Sequence, residues 1–327
     1  MDTVYIEREV QTHPRTQRIC QRYPNARHIL IDRHGDVFNA RAQDFRQQKA
    51  NPALILAHKA GKRVHATPPG YHIGGNHNYY FSHMLNCVYD CRYCFLQGMY
   101  QSANHVVYVN SEDFMQDITD TAKKHNSDTW FFSGYDCDSL ALDPITHFVD
   151  DCLDHFAQLP QAWLELRTKS TQIRPLLARA ALPNVVVAYS LSPQAIVAAE
   201  EHGTPSLAKR LDALQRLQNH GWKIGLRFDP LLHAGNFEQL YGELFDTVAA
   251  SLDMATVHSV SLGVFRLPKG FHKKLVRLYP EAPLLAAPIE PREGMMTYPE
   301  ETENRMRDFC QSRLSTVIRE DQFFPCS

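Results

Sequence analysis

No run of about 18 apolar residues occurs in the sequence, and no basic segment followed by an apolar stretch opens it. A membrane span and a secretory leader are therefore not expected. Nor is a disulfide framework, because eight cysteines in 327 residues are too sparse to staple a chain of this length. An excess of charge of one sign is also missing. Lys and Arg number 34 against 36 Asp and Glu, so the formal net charge is −2. That excludes a polycationic nucleic-acid coat and confines any phosphate binding to a local patch. Solenoid repeats and low-complexity tracts are absent as well. What is present is 44% hydrophobic residues, enough for one large α/β domain or a main domain with additions. A reduced, cytoplasmic setting is the expectation.

Against that sparse background three cysteines are crowded together. Cys87, Cys91 and Cys94 stand at a C-x3-C-x2-C spacing, with the aromatic Phe95 directly after the third. Three thiolates on so short a loop hold three corners of a cubane iron–sulfur cluster, whose usual complement is four cysteines. The fourth iron is then open to a ligand that is not protein. Zinc is the alternative, with Cys137, His83 or His77 closing a set of four. Inert core thiols are a second alternative, but polar Asn86, Asp90 and Arg92 surround these three.

Residues 1–78 read as an N-terminal portion. It holds a hairpin pairing Ile29-Leu30-Ile31 with Val37-Phe38, a polar helix-capable stretch at 40–50, and a short apolar run at 53–57. Pro68-Pro69-Gly70 and Gly74-Gly75-Asn76 mark a loop-rich boundary. The run Tyr79 to Leu85 reads as one strand leading into the cysteines. Beyond it strands and helices alternate. Strands are expected at 129–132, 163–167, 185–188, 223–228 and 257–264. Helices are expected from Asn110 or Ser111, from Asp143-Pro144, near 172–180, from Thr204-Pro205 to Gly221, at 237–252 and at 271–279. Six β/α units over 79–280 imply a parallel sheet. Curled, it is a partial TIM-like (β/α)6 barrel with N- and C-terminal additions, the latter at 281–327; an open doubly wound sheet is the alternative.

In either arrangement ligands bind at the carboxyl ends of the strands, and polar residues collect there. They are the cysteine loop, the segment Ser133 to Ser139, Arg167-Thr168-Lys169, Ser190-Leu191-Ser192, Asp229 with His233, and Arg266.

These residues together resemble the spore photoproduct lyase family of radical S-adenosylmethionine (SAM) proteins. The similar pieces are Cys87 to Gln97, Val107-Tyr108-Val109-Asn110, Asp138-Ser139 to Ile145-Thr146, Thr168-Lys169, Lys223-Ile224-Gly225 and Gln322-Phe323-Phe324-Pro325. The resemblance implies a 4Fe–4S cluster on Cys87, Cys91 and Cys94, with SAM on the open iron. It implies reductive cleavage of SAM to a 5′-deoxyadenosyl radical, which takes hydrogen from a methylene-bridged thymine dimer in DNA. Lys169 matches a lysine near the SAM carboxylate and Ser190 a serine of the SAM pocket; Ser139 and Asp229 sit beside pocket positions. Tyr93 matches a tyrosine implicated in returning hydrogen. A flavodoxin or ferredoxin would supply the electron.

Three departures bear on the substrate. Tyr135 stands where the best-known lyases carry a radical-quenching cysteine, and Cys137 follows two residues later as a candidate donor. Phe95 replaces a tyrosine. The region Glu281 to Glu303, where those lyases carry a basic DNA-inserting hairpin, has Arg292 as its one basic residue; Met295, Met296 and Tyr298 offer an apolar wedge. A separate basic run, Arg266, Lys269, Lys273, Lys274 and Arg277, is a phosphate-binding candidate or a solvated helix face. Rival readings keep the radical chemistry with RNA, peptide or a small molecule, or make the chain a metal-bearing nucleic-acid binder without turnover.

Overall fold

The computed structural model describes residues 1–40 and 43–326. Among them the large sheet runs in the order β4 (Val64–Ala66), β5 (His77–Phe81), β9 (Thr129–Ser133), β10 (Ala162–Thr168), β11 (Val185–Ser190), β13 (Lys223–Leu231), β14 (Ser259–Val264) and β18 (Phe323–Pro325). All neighbours from β5 to β18 are parallel; only β4 is antiparallel. Strands β9, β11 and β14 are buried throughout, as parallel strands covered on both faces must be. Phe324 of β18 packs with Ile73, Trp130, Phe132 and Val186. Residues of β9 and β18, far apart in the sheet order, meet because the sheet curls into a half-barrel.

Helices α4 (Ser111–Ala122), α6 (Phe148–Phe156), α7 (Arg174–Leu177), α9 (Leu207–Asn219), α10 (Phe237–Ser251) and α11 (Lys269–Leu278) alternate with these strands. The six expected units are present. In α4, Phe114, Ile118 and Ala122 are buried, and Glu112 and Asp113 complement the first-turn dipole. Ser206 caps α9, whose Leu207, Leu211, Leu214 and Leu217 face inward. Four helices were not anticipated, α1 (Pro14–Gln21), α3 (Phe95–Met99), α8 (Gln194–Glu200) and α12 (Glu300–Leu314), the last lying against α10.

The smaller sheet has the order β2 (Arg27–Ile31), β1 (Thr3–Glu7), β3 (Leu54–Ala57), β8 (His105–Tyr108) and β6 (Met84–Leu85). With it pack α1 and α5 (Asp143–Thr146), through Ile19 and Ile145; α2 (Phe45–Ala50) precedes β3, and α3 lies against α11. The expected hairpin does not form. Ile29 to Ile31 pair in parallel with β1, and the chain after them closes a 3-10 turn at His34–Asp36 that leaves Phe38 buried beside Tyr100. The helix-capable stretch narrows to α2, and residues 41 and 42 of it lie outside the described residues. The Tyr79–Leu85 run breaks at Ser82-His83, so that β5 and β6 enter different sheets. Chain on both sides of residue 78 contributes to each main sheet, β4 to the large one and β6 and β8 to the small one.

The helix expected from Asp143 is also broken, at His147, which has φ 52°. Asp143 does not cap α5; its Oδ1 accepts from Val149 N at 2.8 Å and so caps α6. No helix among the described residues is long and apolar enough to cross a membrane.

Candidate active site

The cysteine loop is held at four points. Before it, Asn86 takes the left-handed conformation (φ 71°) and its Nδ2 donates to Ser102 O at 2.7 Å and Asn104 O at 2.9 Å. Within it, β7 (Asp90–Cys91) pairs antiparallel with β12 (Glu201–His202), which fixes Cys91 opposite Glu201. Cys94 is the residue that opens α3. After it, Gln97 Nε2 donates back to Cys91 O at 2.6 Å, and its Oε1 accepts from Tyr279 OH. The glutamine of the Cys-Phe-Leu-Gln block therefore closes the loop. Gly98 lets α11 approach: a Cβ there would lie 2.7 Å from Phe271 Cα.

All three thiols line one cavity of about 610 Å³ at the carboxyl ends of the half-barrel strands. Of the other residues singled out in the sequence, Tyr93, Tyr135, Cys137, Lys169, Ser190, Asp229 and Arg266 line it too. Ser139 does not. It lies beneath Gly134 (φ +81°), sharing a 2.7 Å hydrogen bond with Ser133 Oγ, and supports the cavity from behind. Lys269, Lys273, Lys274 and Arg277 lie on α11, with Lys269, Lys273 and Arg277 exposed. Tyr298 is fully buried, and its OH accepts from His233 N at 3.0 Å, so it cannot belong to an exposed wedge; Met295 lines the cavity instead. Arg292 is paired with Glu303.

Burial works against the charge of Lys169, but Glu201 and Cys91 outweigh it and keep the ammonium protonated. Glu201 is itself anchored by Arg210, and it accepts from Tyr93 OH and from Ser192 Oγ at 3.1 Å. Burial and Glu201 hold the Tyr93 phenol well above its ordinary value. Burial also pushes up the thiols of Cys87 (to about 12), Cys91 and Cys94, and the Lys169 charge pulls the last two back down. A cation beside thiols that must lose protons suits a metal cluster. Among the described residues no three His, Cys, Asp or Glu side chains are disposed to hold a single metal ion. Cys87, Cys91 and Cys94, together on the lining of one cavity, are the donor set that would hold a cubane cluster.

Tyr71 and Tyr80 escaped the sequence reading, and Asp138 and Arg167 were placed at strand ends there without an individual role. Asp138 ties two strand ends together: Oδ1 accepts from Leu140 N (3.0 Å), Ala141 N (2.9 Å) and Thr168 Oγ1 (2.6 Å), and Oδ2 from Lys169 N (2.7 Å). Tyr71 and Tyr80 flank Tyr135, with ring centroids 5.9 Å and 4.4 Å from it, and Phe95 adds a fourth ring at 5.8 Å. Arg167 completes this wall. One signal was available: Glu165, Arg167 and Lys169 alternate at period two through an otherwise apolar strand, which puts three charges on one face.

A curled parallel sheet with three cysteines in the loop after its first strand defines a half-barrel of the radical SAM type. The chain belongs to the spore photoproduct lyase family, whose family model, described as Spore photoproduct lyase, matches residues 1–321. It is 22% identical to the spore photoproduct lyase of Bacillus subtilis (strain 168) over 337 residues, covering 98% of this chain and 95% of that one. It is 25% identical to that of Geobacillus sp. (strain Y412MC61) over 202 residues, 61% of this chain and 59% of the relative. A solved spore photoproduct lyase variant with bound AdoMet and dinucleoside spore photoproduct superposes with a TM-score of 0.86 at 19% identity, covering 100% of this chain and 98% of that one. A second, complexed with dinucleoside spore photoproduct, gives 0.85 at 18% over the same shares.

Proposed function

We propose that this protein is a radical SAM lyase that splits the bridge of a pyrimidine photoproduct in DNA. Its supporting observation is the convergence of Cys87, Cys91 and Cys94 with Lys169, Ser190 and Asp229 on one cavity. The three cysteines would hold a 4Fe–4S cluster, which when bound supplies the electron that cleaves SAM. Lys169, kept charged by Glu201, would serve the SAM carboxylate as a fixed countercharge. Ser190 and Asp229 offer a hydroxyl and a carboxylate to its remaining polar groups, and Ser139 holds the floor beneath. The rings of Tyr71, Tyr80, Tyr135 and Phe95 would give the lesion an aromatic, water-excluding wall.

Hydrogen return needs a donor on that wall. Burial, with Cys87, Asp136 and Asp138 adding to it, pushes the Cys137 thiol well up, so that it stays S–H, the form that gives a hydrogen atom. Its Sγ lies 3.9 Å from Nδ1 of His83, which burial and Arg15 push down to about 3 and hold neutral. Cys137 is thus the donor on this reading, with the Tyr135 phenol beside it. Tyr93 holds Glu201 and through it Lys169. The exposed cations of α11, with Arg266 at the mouth, would grip DNA phosphates, and a flavodoxin or ferredoxin of the cytoplasm would be the reductant. The Arg292–Glu303 pair weakens the hairpin's hold on a duplex and favours, as a second reading, a smaller substrate.

The test is anaerobic reconstitution to roughly four irons and four sulfides per chain. Incubation with SAM, dithionite and dinucleoside spore photoproduct should then release thymidine residues. Formation of 5′-deoxyadenosine without any repaired product would overturn the lyase reading and leave the radical chemistry. Colourless zinc protein would overturn both.

A further inference from the structure

Arg167 carries a charge to which the roles assigned above give no use. It stands near the end of β10 with its side chain in the lumen of the half-barrel and lining the cavity. Its Nε donates to Glu165 Oε1 at 3.1 Å, while Glu165 Oε2 accepts from Arg227 Nη2 at 2.8 Å. Glu165 and Arg227 are both fully buried. Arg227 is also saturated, donating to Leu226 O (3.1 Å), Ser259 O (3.0 Å) and Ser259 Oγ (2.9 Å). Room for it exists because residue 225 is glycine: a Cβ there would lie 2.7 Å from Nη2.

One carboxylate therefore serves two guanidiniums, and only the inner one is fully engaged. Nη1 and Nη2 of Arg167 have no acceptor among the described residues, and 19% of the side chain is exposed. The fork is nevertheless held still. Glu165 fixes its Nε side, and the Tyr71 ring centroid lies 5.1 Å from Cζ. A planar donor pair presented beside the aromatic rings of Tyr71, Tyr80 and Tyr135 matches a flat heterocycle carrying acceptor oxygens.

We propose that Arg167 determines substrate specificity by donating paired hydrogen bonds from Nη1 and Nη2 to a carbonyl oxygen of one pyrimidine ring of the lesion. A phosphodiester is the other oxygen-bearing partner for a guanidinium. Depth separates the two: Arg167 lies inside the half-barrel among rings, whereas exposed Arg266 stands at the mouth, where a backbone would pass. The SAM carboxylate already has Lys169. The proposal rests on the lesion-binding reading of the cavity.

The experiment compares holoenzyme with Arg167→Gln and Arg167→Lys on dinucleoside spore photoproduct, which has no phosphate, and on the phosphodiester-linked dinucleotide. Arg167→Gln should raise KM about tenfold or more on both substrates, with kcat falling by less and SAM affinity unchanged. Arg167→Lys keeps the charge against Glu165 but not the fork, and should recover only part of the loss. It also serves if the glutamine variant does not fold. A KM that rises only for the phosphate-bearing substrate, a weakened SAM affinity, or a lysine variant equal to wild type would each overturn the proposal. Were wild-type enzyme to repair neither substrate, the function itself would fail; were it to repair both with Arg167 variants unaffected, Arg167 alone would.

Discussion

Single residues carry the site's geometry in two different ways. Cys91 acts through its sulfur: Cys91→Ala should abolish cluster assembly and with it all 5′-deoxyadenosine formation, read by iron content and by chromatography after dithionite. Retained SAM cleavage would contradict its place as a ligand. Gly134 acts through what it lacks. A Cβ there would lie 2.6 Å from Ser139 Oγ and 2.9 Å from Arg167 O, at a positive φ that side chains resist. Gly134→Ala should cost roughly 2 kcal/mol, seen as a lowered urea midpoint, and should displace the loop that carries Tyr135 to Asp138. The cysteines were legible because ligand spacing is local. Tyr71 and Tyr80 were not, and Arg167 was placed at a strand end without a partner, because their common wall depends on the curl of the sheet. Tyr71 belongs to a turn between β4 and β5 whose sequence signals only a loop.

Among elements, α3 and α11 form the contact that ties the cluster loop to the basic face. Gly98→Ala would drive a Cβ against the Phe271 backbone, and no side-chain rotation relieves that. The change should cost about 1–3 kcal/mol and lower iron per folded chain. Phe271→Ala, which keeps Cα and Cβ, should not rescue it; rescue would place the clash in the ring. The exposed face of α11 is tested by salt. Each phosphate that the helix no longer neutralises should make the dependence of log affinity on log salt shallower by about 0.9 for duplex DNA. A Lys273→Gln variant whose slope equals that of wild type would return the helix to a solvated face. Helices with regular apolar spacing, such as α9 and α10, were legible to within a few residues. The hairpin at 29–38 was misread because local alternation says nothing about β1, a partner more than twenty residues upstream that takes Ile29 to Ile31 in parallel. Likewise, the break at Ser82-His83 is imposed by tertiary contacts, Ser82 Oγ donating to Asp136 and His83 stacking on Phe148 at 3.6 Å.

For the molecule as a whole, buried titratable groups set a pH dependence with two opposed parts. Burial pushes His83 down to about 3 and His105 to about 4, with Arg15 and Lys49 respectively adding to the effect. In the unfolded chain both titrate near 6.5, so as pH falls below that value the unfolded state takes up protons that the folded state refuses. Their contribution is complete above about pH 7 and is lost toward pH 4, at up to about 1.4 kcal/mol per pH unit for each group. Asp143 works the other way. Burial raises it to about 6, so between about pH 4 and 6 the folded state holds the extra proton and stability falls as pH rises. In wild type the two trends partly cancel between pH 4 and 6. Asp143→Asn retains an oxygen for Val149 N, removes the buried charge, and should raise the unfolding free energy at pH 7.5 by on the order of 1–3 kcal/mol, read as a higher urea midpoint. It should also leave the histidine trend exposed, with midpoints falling steadily from pH 6.5 to 4.5 at matched iron content. Adding His105→Gln should then reduce that slope by close to one proton. An unchanged slope in the double variant would mean that His105 is charged in the folded protein, and that the small sheet beneath the cluster loop tolerates a cation at a position only 3% exposed.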